Sequence, residues 1–303
     1  MPGKSIFILK MHHVMTDGYG VASFMANVCD QWDAELLPHL PQFNFWQKCL
    51  MYLSMPYHFI SLAAQYLFYP ADKNPMTLKN KENTGVKRGF FAKEYSVDAV
   101  KRKSKEHNVT INDLLMTVIS MTMKQYFISQ GDEKTNRILM FIPFNLREKP
   151  AAIDNFEFIN QMAVFPVKLR LVNDFKTGVQ AISRDLRPLR TSFVTFCMYY
   201  IVRLGQSFPS AGFQWWFNNF ATKCSLIATN VRGPSIPFTV AGTESIKATT
   251  FMPSLGDVPG GFAIVSQMDV LWVSFCADRN RCDDAKQIIG IFEKTLDSIL
   301  AGK

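Results

Sequence analysis

The stretch Ser5-Ile6-Phe7-Ile8-Leu9-Lys10-Met11-His12-His13-Val14-Met15-Thr16-Asp17-Gly18 decides how the rest of this 303-residue chain is read. Ser5 to Met11 is an apolar run of strand length and predicts a buried strand. Past Gly18, the residues Val21, Phe24, Met25, Val28 and Trp32 recur at the spacing of one apolar helix face. Asp17 and Gly18 fall where an N-cap belongs. His12 and His13 are thereby placed at a strand-to-helix turn, from which side chains and helix N–H groups both reach a cleft. A bare HxxxD is common by chance. HHxxxDG between a hydrophobic strand and an amphipathic helix is far more specific, and it favours chemistry over a satisfied pair of core histidines. His39, His58 and His107 stand alone in the sequence, and for them core packing is the better reading.

A neutral imidazole, with an ordinary pKa of about 6.5, is suited to take a proton from a hydroxyl near neutral pH. The oxygen so activated can attack a carbonyl such as a thioester. Holding donor and acceptor in one channel supplies much of the acceleration. Such a step calls for no nucleophilic serine or cysteine and no metal. Asp17 has two readings: it orients the imidazole as in a triad, or it faces away, pairs with an arginine and braces the turn. Its place at a helix start favours the second. Gly18 lets the backbone approach closely or take a positive φ.

Hydrophobic residues make up 48% of the chain and charged residues 19%, which excludes wholesale disorder and provides for a packed core. Phenylalanine, at 26 copies, gives an interior suited to a greasy cavity as well as to a solid core. The net charge of +8 has its densest cluster at Lys101-Arg102-Lys103-Ser104-Lys105. That cluster reads as the solvated face of a helix, and no nucleic-acid-binding motif accompanies it. Phosphates of a CoA-type ligand or of lipid headgroups fit the excess charge better than nucleic acid. The six cysteines (29, 49, 197, 224, 276 and 282) form no CxxC and no regular framework, so reduced thiols facing the cytosol are expected.

From Cys49 to Ala71 there is no charged residue, but Pro56, His58, Gln65 and two serines dilute the run. A helix lying in or dipping into a membrane, a full span and a buried lid are all open readings, the first ahead of the second. Residues 71–92 are polar and turn-rich and read as a crossover linker. Ser96 to His107 predicts a helix, and Thr110-Ile111-Asn112-Asp113 starts another that buries Leu114, Leu115, Val118, Ile119 and Thr122. Strands are expected at 138–144, 161–171, 225–230, 246–251, 262–268 and 270–277, with Met268-Asp269 as a hairpin turn. The aromatic stretch Leu204–Thr222 carries Phe213, Trp215, Trp216 and Phe217, suited to a membrane interface, an acyl tunnel or plain core packing. A last helix starts near Asp283 or Asp284 and buries Ala285, Ile288, Ile289, Phe292, Leu296 and Ile299. The class is α/β or α+β. The strand at Ser5–Met11 has almost nothing before it, so either its partners come later in the chain or an N-terminal region precedes it.

In these residues the chain resembles the wax ester synthase/diacylglycerol acyltransferase family, of the condensation-domain and chloramphenicol-acetyltransferase-like superfamily. The family's HHxxxDG stands unbroken at His12 to Gly18. An Asn-Asp pair opening a hydrophobic helix matches Asn112-Asp113, a strand ending in Pro-x-Asn-x-Arg matches Pro143 to Arg147, and an Asn-Val-x-Gly-Pro loop matches Asn230 to Pro234. The resemblance implies an α/β fold of two chloramphenicol-acetyltransferase-like domains in a V around a central channel. It also implies an incomplete first domain here, since family members carry strands and a helix ahead of the histidines. The corresponding division is 1–70 as the end of the first domain, 71–92 as the crossover and 93–303 as the second domain.

By the same resemblance His13 is the general base, with His12, Asp17 and Gly18 supporting the motif. Asn112, Asp113, Arg147, Asn230, Gly233 and Pro234 are structural or channel-lining candidates. Thr110 and Asp113 fit a capping box, so a structural role has the better claim there. Arg147 is a candidate partner of Asp17 on charge alone, and Asn230 is either a turn former or a carbonyl-oxygen donor. Arg232 replaces the commoner proline, and the usual aromatic near Ser266-Gln267 is missing, which bears on the acceptor side.

The implied reaction transfers a long-chain acyl group from acyl-CoA, as co-substrate, to diacylglycerol or a fatty alcohol, giving triacylglycerol or wax ester. No cofactor, metal or nucleic acid is implied, and a membrane surface is an expected partner. The expected location is the cytosolic face of a membrane: endoplasmic reticulum or lipid droplet in a eukaryote, plasma membrane in a bacterium. The alternatives are a non-catalytic lipid-binding or membrane-associated remnant, and a superfamily enzyme acting on another alcohol or an amine.

Overall fold

Leu226-Ile227-Ala228 and Phe262-Ala263-Ile264-Val265 are unbroken apolar runs, a pattern that suits strands covered on both faces rather than one. Both lie at the centre of the computed structural model, which describes residues 5–13, 15–31, 44–77, 83–145, 160, 162–191, 193–195, 197–198, 200, 210–233, 236–252 and 256–302. Its elements begin with α1 (Gly18–Val28), α2 (Phe45–Phe68), β1 (Lys87–Phe91), β2 (Tyr95–Ser96), α3 (Val97–Glu106), α4 (Ile111–Ser129), β3 (Arg137–Asn145) and β4 (Met162–Arg170). They continue with α5 (Phe175–Thr191), α6 (Ser210–Ala221), β5 (Leu226–Arg232), β6 (Thr239–Val240), β7 (Thr243–Glu244), β8 (Gly260–Gln267), β9 (Val270–Asp278) and α7 (Ala285–Leu300).

The main sheet runs β1-β9-β8-β5-β3-β4, with β2 also on β9; β6 and β7 form a separate hairpin. β5 is parallel to both β3 and β8, and the remaining pairs are antiparallel. The period of two along β3 sends Ile138, Met140 and Ile142 to one face and Leu139 and Phe141 to the other. The first face is covered by α4, α5 and α7, through Leu115, Val118, Ile119, Val179, Ile182, Phe292 and Leu296 among others. On the second face Phe220, Ala221, Met252 and Val258 close over Leu139, Phe141, Ile227 and Ala263. Burying each such side chain contributes about 1.5–3 kcal/mol.

Helix ends follow the predicted caps. Ser96 accepts from Ala99 N, Asp284 accepts from Gln287 N, and Thr110 with Asp113 forms a reciprocal capping box. Met268, at a positive φ of 51°, makes the β8–β9 turn.

Two expected strands are absent. Ser5–Met11 is not a strand: Ile6 is 87% exposed, and neither sheet edge, β1 or β4, takes up its N–H and C=O groups. Residues 246–251 are also irregular, because β9 is flanked by β8 on one side and by β1 and β2 on the other, which leaves no ladder position free. That segment is held by side chains instead: Ala248 N donates to Gln267 Oε1 and Ser274 Oγ donates to Thr250 O. The stretch read as linker ends in a strand, β1, whose Lys87–Phe91 pair with Asp278–Ser274.

The earlier part of that stretch is tied down by a buried polar cluster. Asp72 accepts from Leu139 N at 2.6 Å and from Ser225 Oγ at 2.5 Å, and Asn74 Nδ2 donates to Ser225 Oγ at 2.7 Å. Burial pushes the Asp72 carboxyl up to about 6, against the opposing pull of the Ser225 and Leu139 bonds and the Lys168 charge. An acid whose pKa is raised by folding holds its proton more tightly in the folded chain. Stability therefore falls as pH climbs from about 4 through about 6 and levels off beyond. The fall attributable to Asp72 is on the order of 2–3 kcal/mol. Asp72→Asn is expected to abolish that difference, as read by comparing urea midpoints of wild type and variant at pH values on either side of this window.

Candidate functional site

The His12-to-Gly18 segment is a compact turn. Met15 N donates to His12 O at 2.9 Å, and Asp17, 2% exposed, caps α1 by accepting from Gly20 N at 3.0 Å. With β-region backbone at Asp17 and its carbonyl accepting from Val21 N at 2.9 Å, the aspartate satisfies helix N–H groups. Gly18 has open space where a Cβ would sit and no positive φ, so neither expected reason for a glycine applies there. His12 is exposed and His13 half-buried.

His13 is held by Asn160. Asn160 Nδ2 lies 2.8 Å from the backbone oxygen of His13 and 3.0 Å from its Nδ1. Asn160 Oδ1 accepts from Met162 N at 3.3 Å, the first residue of β4, whose register places Met162 against Asn145 at the end of β3. The histidine turn is thereby fastened to the edge of the main sheet by one side chain. Sequence reading passed Asn160 over. Its one signal is an amide side chain standing directly before an apolar strand.

α1 turns a different face inward from the one its apolar spacing predicts. Tyr19, Ser23 and Ala26 are buried, Val21, Phe24 and Met25 are half-buried, and Val28 is 37% exposed; Trp32 lies outside the described residues. The partner explains the difference, because α1 packs Ala26 and Met25 on Phe238, Ile236 and Val240 of the β6–β7 hairpin region. Just past the helix, Asp30 N donates to Thr239 O at 2.9 Å, and the Asp30 carboxylate accepts from Ala241 N and Gly242 N, each at 2.8 Å. The Gly242 backbone bond first, then the Thr239 side chain and the Ala241 backbone bond, hold the Asp30 carboxyl below the usual carboxylate range.

The other motif residues gather elsewhere. Asn230 Nδ2 donates to Asn112 Oδ1 at 3.4 Å, joining the end of β5 to the start of α4. Asp113, fully buried, is occupied by Thr110 N, by Ser183 Oγ and by Arg190 Nη1, so its role is to bind α4 to α5. Gly233 donates to Ser266 O at 2.7 Å, and a Cβ there would stand 2.4 Å from that oxygen, so only glycine allows the approach. Arg147 and Pro234 lie outside the described residues, and so does the expected pairing of Arg147 with Asp17. Arg232 is exposed, and Gln267 is buried beneath residue 248.

With this geometry in view, the relationships of the chain are direct to state. Residues 160–300 match the WS/DGAT C-terminal domain. The wax ester synthase/diacylglycerol acyltransferase from Marinobacter aquaeolei VT8 has a similar structure, with a TM-score of 0.60 at 14% identity over 96% of this chain and 66% of that one. The epimerization domain from the third module of tyrocidine synthetase B is similar at a TM-score of 0.53 and 12% identity, over 95% of this chain and 68% of that one. A condensation-domain structure from the enacyloxin polyketide synthase is similar at 0.56 and 13% identity, over 95% and 57%. No curated protein sequence matches the chain significantly. The fold is therefore the condensation-domain, chloramphenicol-acetyltransferase-like α/β fold. The part that resembles the WS/DGAT C-terminal domain is a little under half of the chain. The chain spans about two thirds of the length of the Marinobacter enzyme.

The hairpin that grips α1 contains a strained residue, Ala241, at a φ of 50°. A left-handed conformation costs a residue with a Cβ roughly 1–2 kcal/mol, part of which a glycine gives back in entropy. Ala241→Gly is expected to raise stability by about 0.5–1 kcal/mol, and Asp30→Ala to lower it, both read from urea midpoints.

Proposed function

We propose that this protein is an O-acyltransferase that moves a long-chain acyl group from acyl-CoA to diacylglycerol or a long-chain alcohol, with His13 as general base. The observation that carries this reading is the unbroken HHxxxDG turn at His12–Gly18, with its second histidine half-buried and gripped at Nδ1. With Asn160 at Nδ1, Nε2 is the nitrogen proposed to meet an acceptor hydroxyl, and it serves as base in the tautomer that carries the ring proton on Nδ1. In the step proposed, the hydroxyl proton passes to Nε2 and the oxygen attacks the thioester carbonyl. The C–S bond then breaks, and the departing CoA thiolate takes a proton back from the imidazolium. Asp17 shapes the turn through its cap and takes no part in the proton's path. Acyl-CoA is a co-substrate, and no resident cofactor enters the step.

A membrane surface is the proposed source of the lipid acceptor, and the proposed location is the cytosolic face of that membrane. α2, about 36 Å long at helical rise, touches the body through Met51, Met55 and Leu62. Its outer face presents Trp46, Leu50, Leu53, Tyr57, Ile60 and Leu67, all exposed and spaced as one stripe. Among the described residues no helix is long and apolar enough to cross a membrane. An exposed apolar stripe of this length suits a helix lying in the interfacial plane. Trp215 on α6, 70% exposed, is a second aromatic side chain suited to that depth.

Labelled acyl-CoA supplied with vesicles containing diacylglycerol or hexadecanol tests the reaction. His13→Ala is expected to lower ester formation by about 10²–10⁴-fold, and an unchanged rate would overturn the mechanism. A preference for polar acceptors in competition would overturn the acceptor class. Leu53→Lys combined with Ile60→Lys is expected to release the protein from co-sedimenting vesicles without lowering its thermal midpoint.

A further inference from the structure

We infer that Asn160 is the positioning residue of His13 and that it decides which ring nitrogen carries the proton. The inference rests on the proposed role of His13 and deepens it.

The argument begins with the backbone contact. A carbonyl oxygen only accepts, so the atom of Asn160 lying 2.8 Å from His13 O has to be the amide nitrogen. That partner settles the usual ambiguity between the two ends of an asparagine side chain. The assignment agrees at the far end, where Asn160 Oδ1 accepts from Met162 N at 3.3 Å. The same Nδ2 is 3.0 Å from His13 Nδ1. An NH₂ group brings two hydrogens, one for each of these acceptors. Nδ1 therefore receives a hydrogen bond, and the proton of the neutral ring sits on Nε2.

This has a chemical consequence. With the proton on Nε2, the outward nitrogen of the resting ring is a donor. Abstracting a hydroxyl proton with Nε2 requires the opposite tautomer, with the proton on Nδ1. Asn160 thus holds the ring in its donor form, and the base form appears only when the amide gives up Nδ1. Because the amide also holds the His13 backbone oxygen, it can give up Nδ1 while the turn stays docked against the start of β4. Asn160 touches no reacting atom in this account and acts through the imidazole.

The test uses the full chain labelled with ¹⁵N-histidine, the His13 signal being the one missing from His13→Gln. In wild type the ring proton is expected on Nε2. In Asn160→Asp a carboxylate can only accept at Nδ1, so the proton is expected to move there. In Asn160→Leu, which keeps the size and loses both bonds, the Nε2 preference is expected to be lost. For the same variant, which also loses the hold on the His13 backbone oxygen, kcat is expected to fall on the order of 10²-fold, with the KM for acyl-CoA little altered and the thermal midpoint retained. A wild-type proton on Nδ1 would overturn the inference, as would an unmoved tautomer and kcat in both variants. If Asn160→Leu fails to fold, Asn160→Asp still decides by its spectrum. The spectra do not depend on turnover. An active His13→Ala enzyme would therefore defeat the base mechanism while the tautomer assignment stood or fell separately.

Discussion

Strand β5 has parallel neighbours on both sides, and a parallel pair cannot be joined by a tight turn. Each parallel connection has to leave the sheet, cross a face and return. Much of the architecture follows from that constraint. Between β3 and β5 the chain adds β4 at the edge, then α5 over one face, then α6, whose Phe220 and Ala221 pack on the other. Between β5 and β8 it makes the β6–β7 hairpin and the irregular stretch that ends in Met252 and Val258. A sheet covered in this way is apolar on both sides, which accounts for the Phe-rich interior and for the few polar residues within the strands.

The same crossovers build the surroundings of the histidine turn. Asn160 stands at the entry to β4, and the hairpin that grips α1 is part of the β5-to-β8 connection. The turn is thus fastened directly by an amide from outside its own segment, and the helix that follows it is fastened through Asp30 to backbone N–H groups of the distant hairpin. Asp17 sets the local helix start, but the placement of His13 in the molecule is the work of residues far along the chain. In the role proposed for His13, an imidazole needs its orientation fixed to a fraction of an ångström. A contact with an edge of a well-packed sheet is a stiff means of fixing it.

The asparagine pair and Asp113 illustrate how one motif divides into separate duties. Asp113 is consumed by its cap, by Ser183 and by Arg190, and so holds two helices together. Its neighbour Asn112, one residue earlier, points instead to Asn230 on the end of β5. Adjacent residues at a helix start face different ways because the helix turns by about 100° per residue.

What the sequence by itself determined was local. Thr110 and Asp284 announced their helices because capping is an interaction between near neighbours, and the strands at 138–144, 262–268 and 270–277 showed in runs that burial on both faces demands. The His12–Gly18 motif and the cap at Asp17 were legible for the same reason. Strand pairing was not. Ser5–Met11 and residues 246–251 have strand-like composition, yet whether a ladder edge is open to them depends on which strands already occupy it, a fact of the whole sheet. The inward face of α1 was misread because its partner is a hairpin more than two hundred residues away. Asn160 had no pattern to declare it, since one amide before a strand gains its meaning only when the fold brings His13 within hydrogen-bonding distance. Tertiary structure alone decided that meeting, because hydrogen bonds between distant segments leave no periodicity in the chain that makes them.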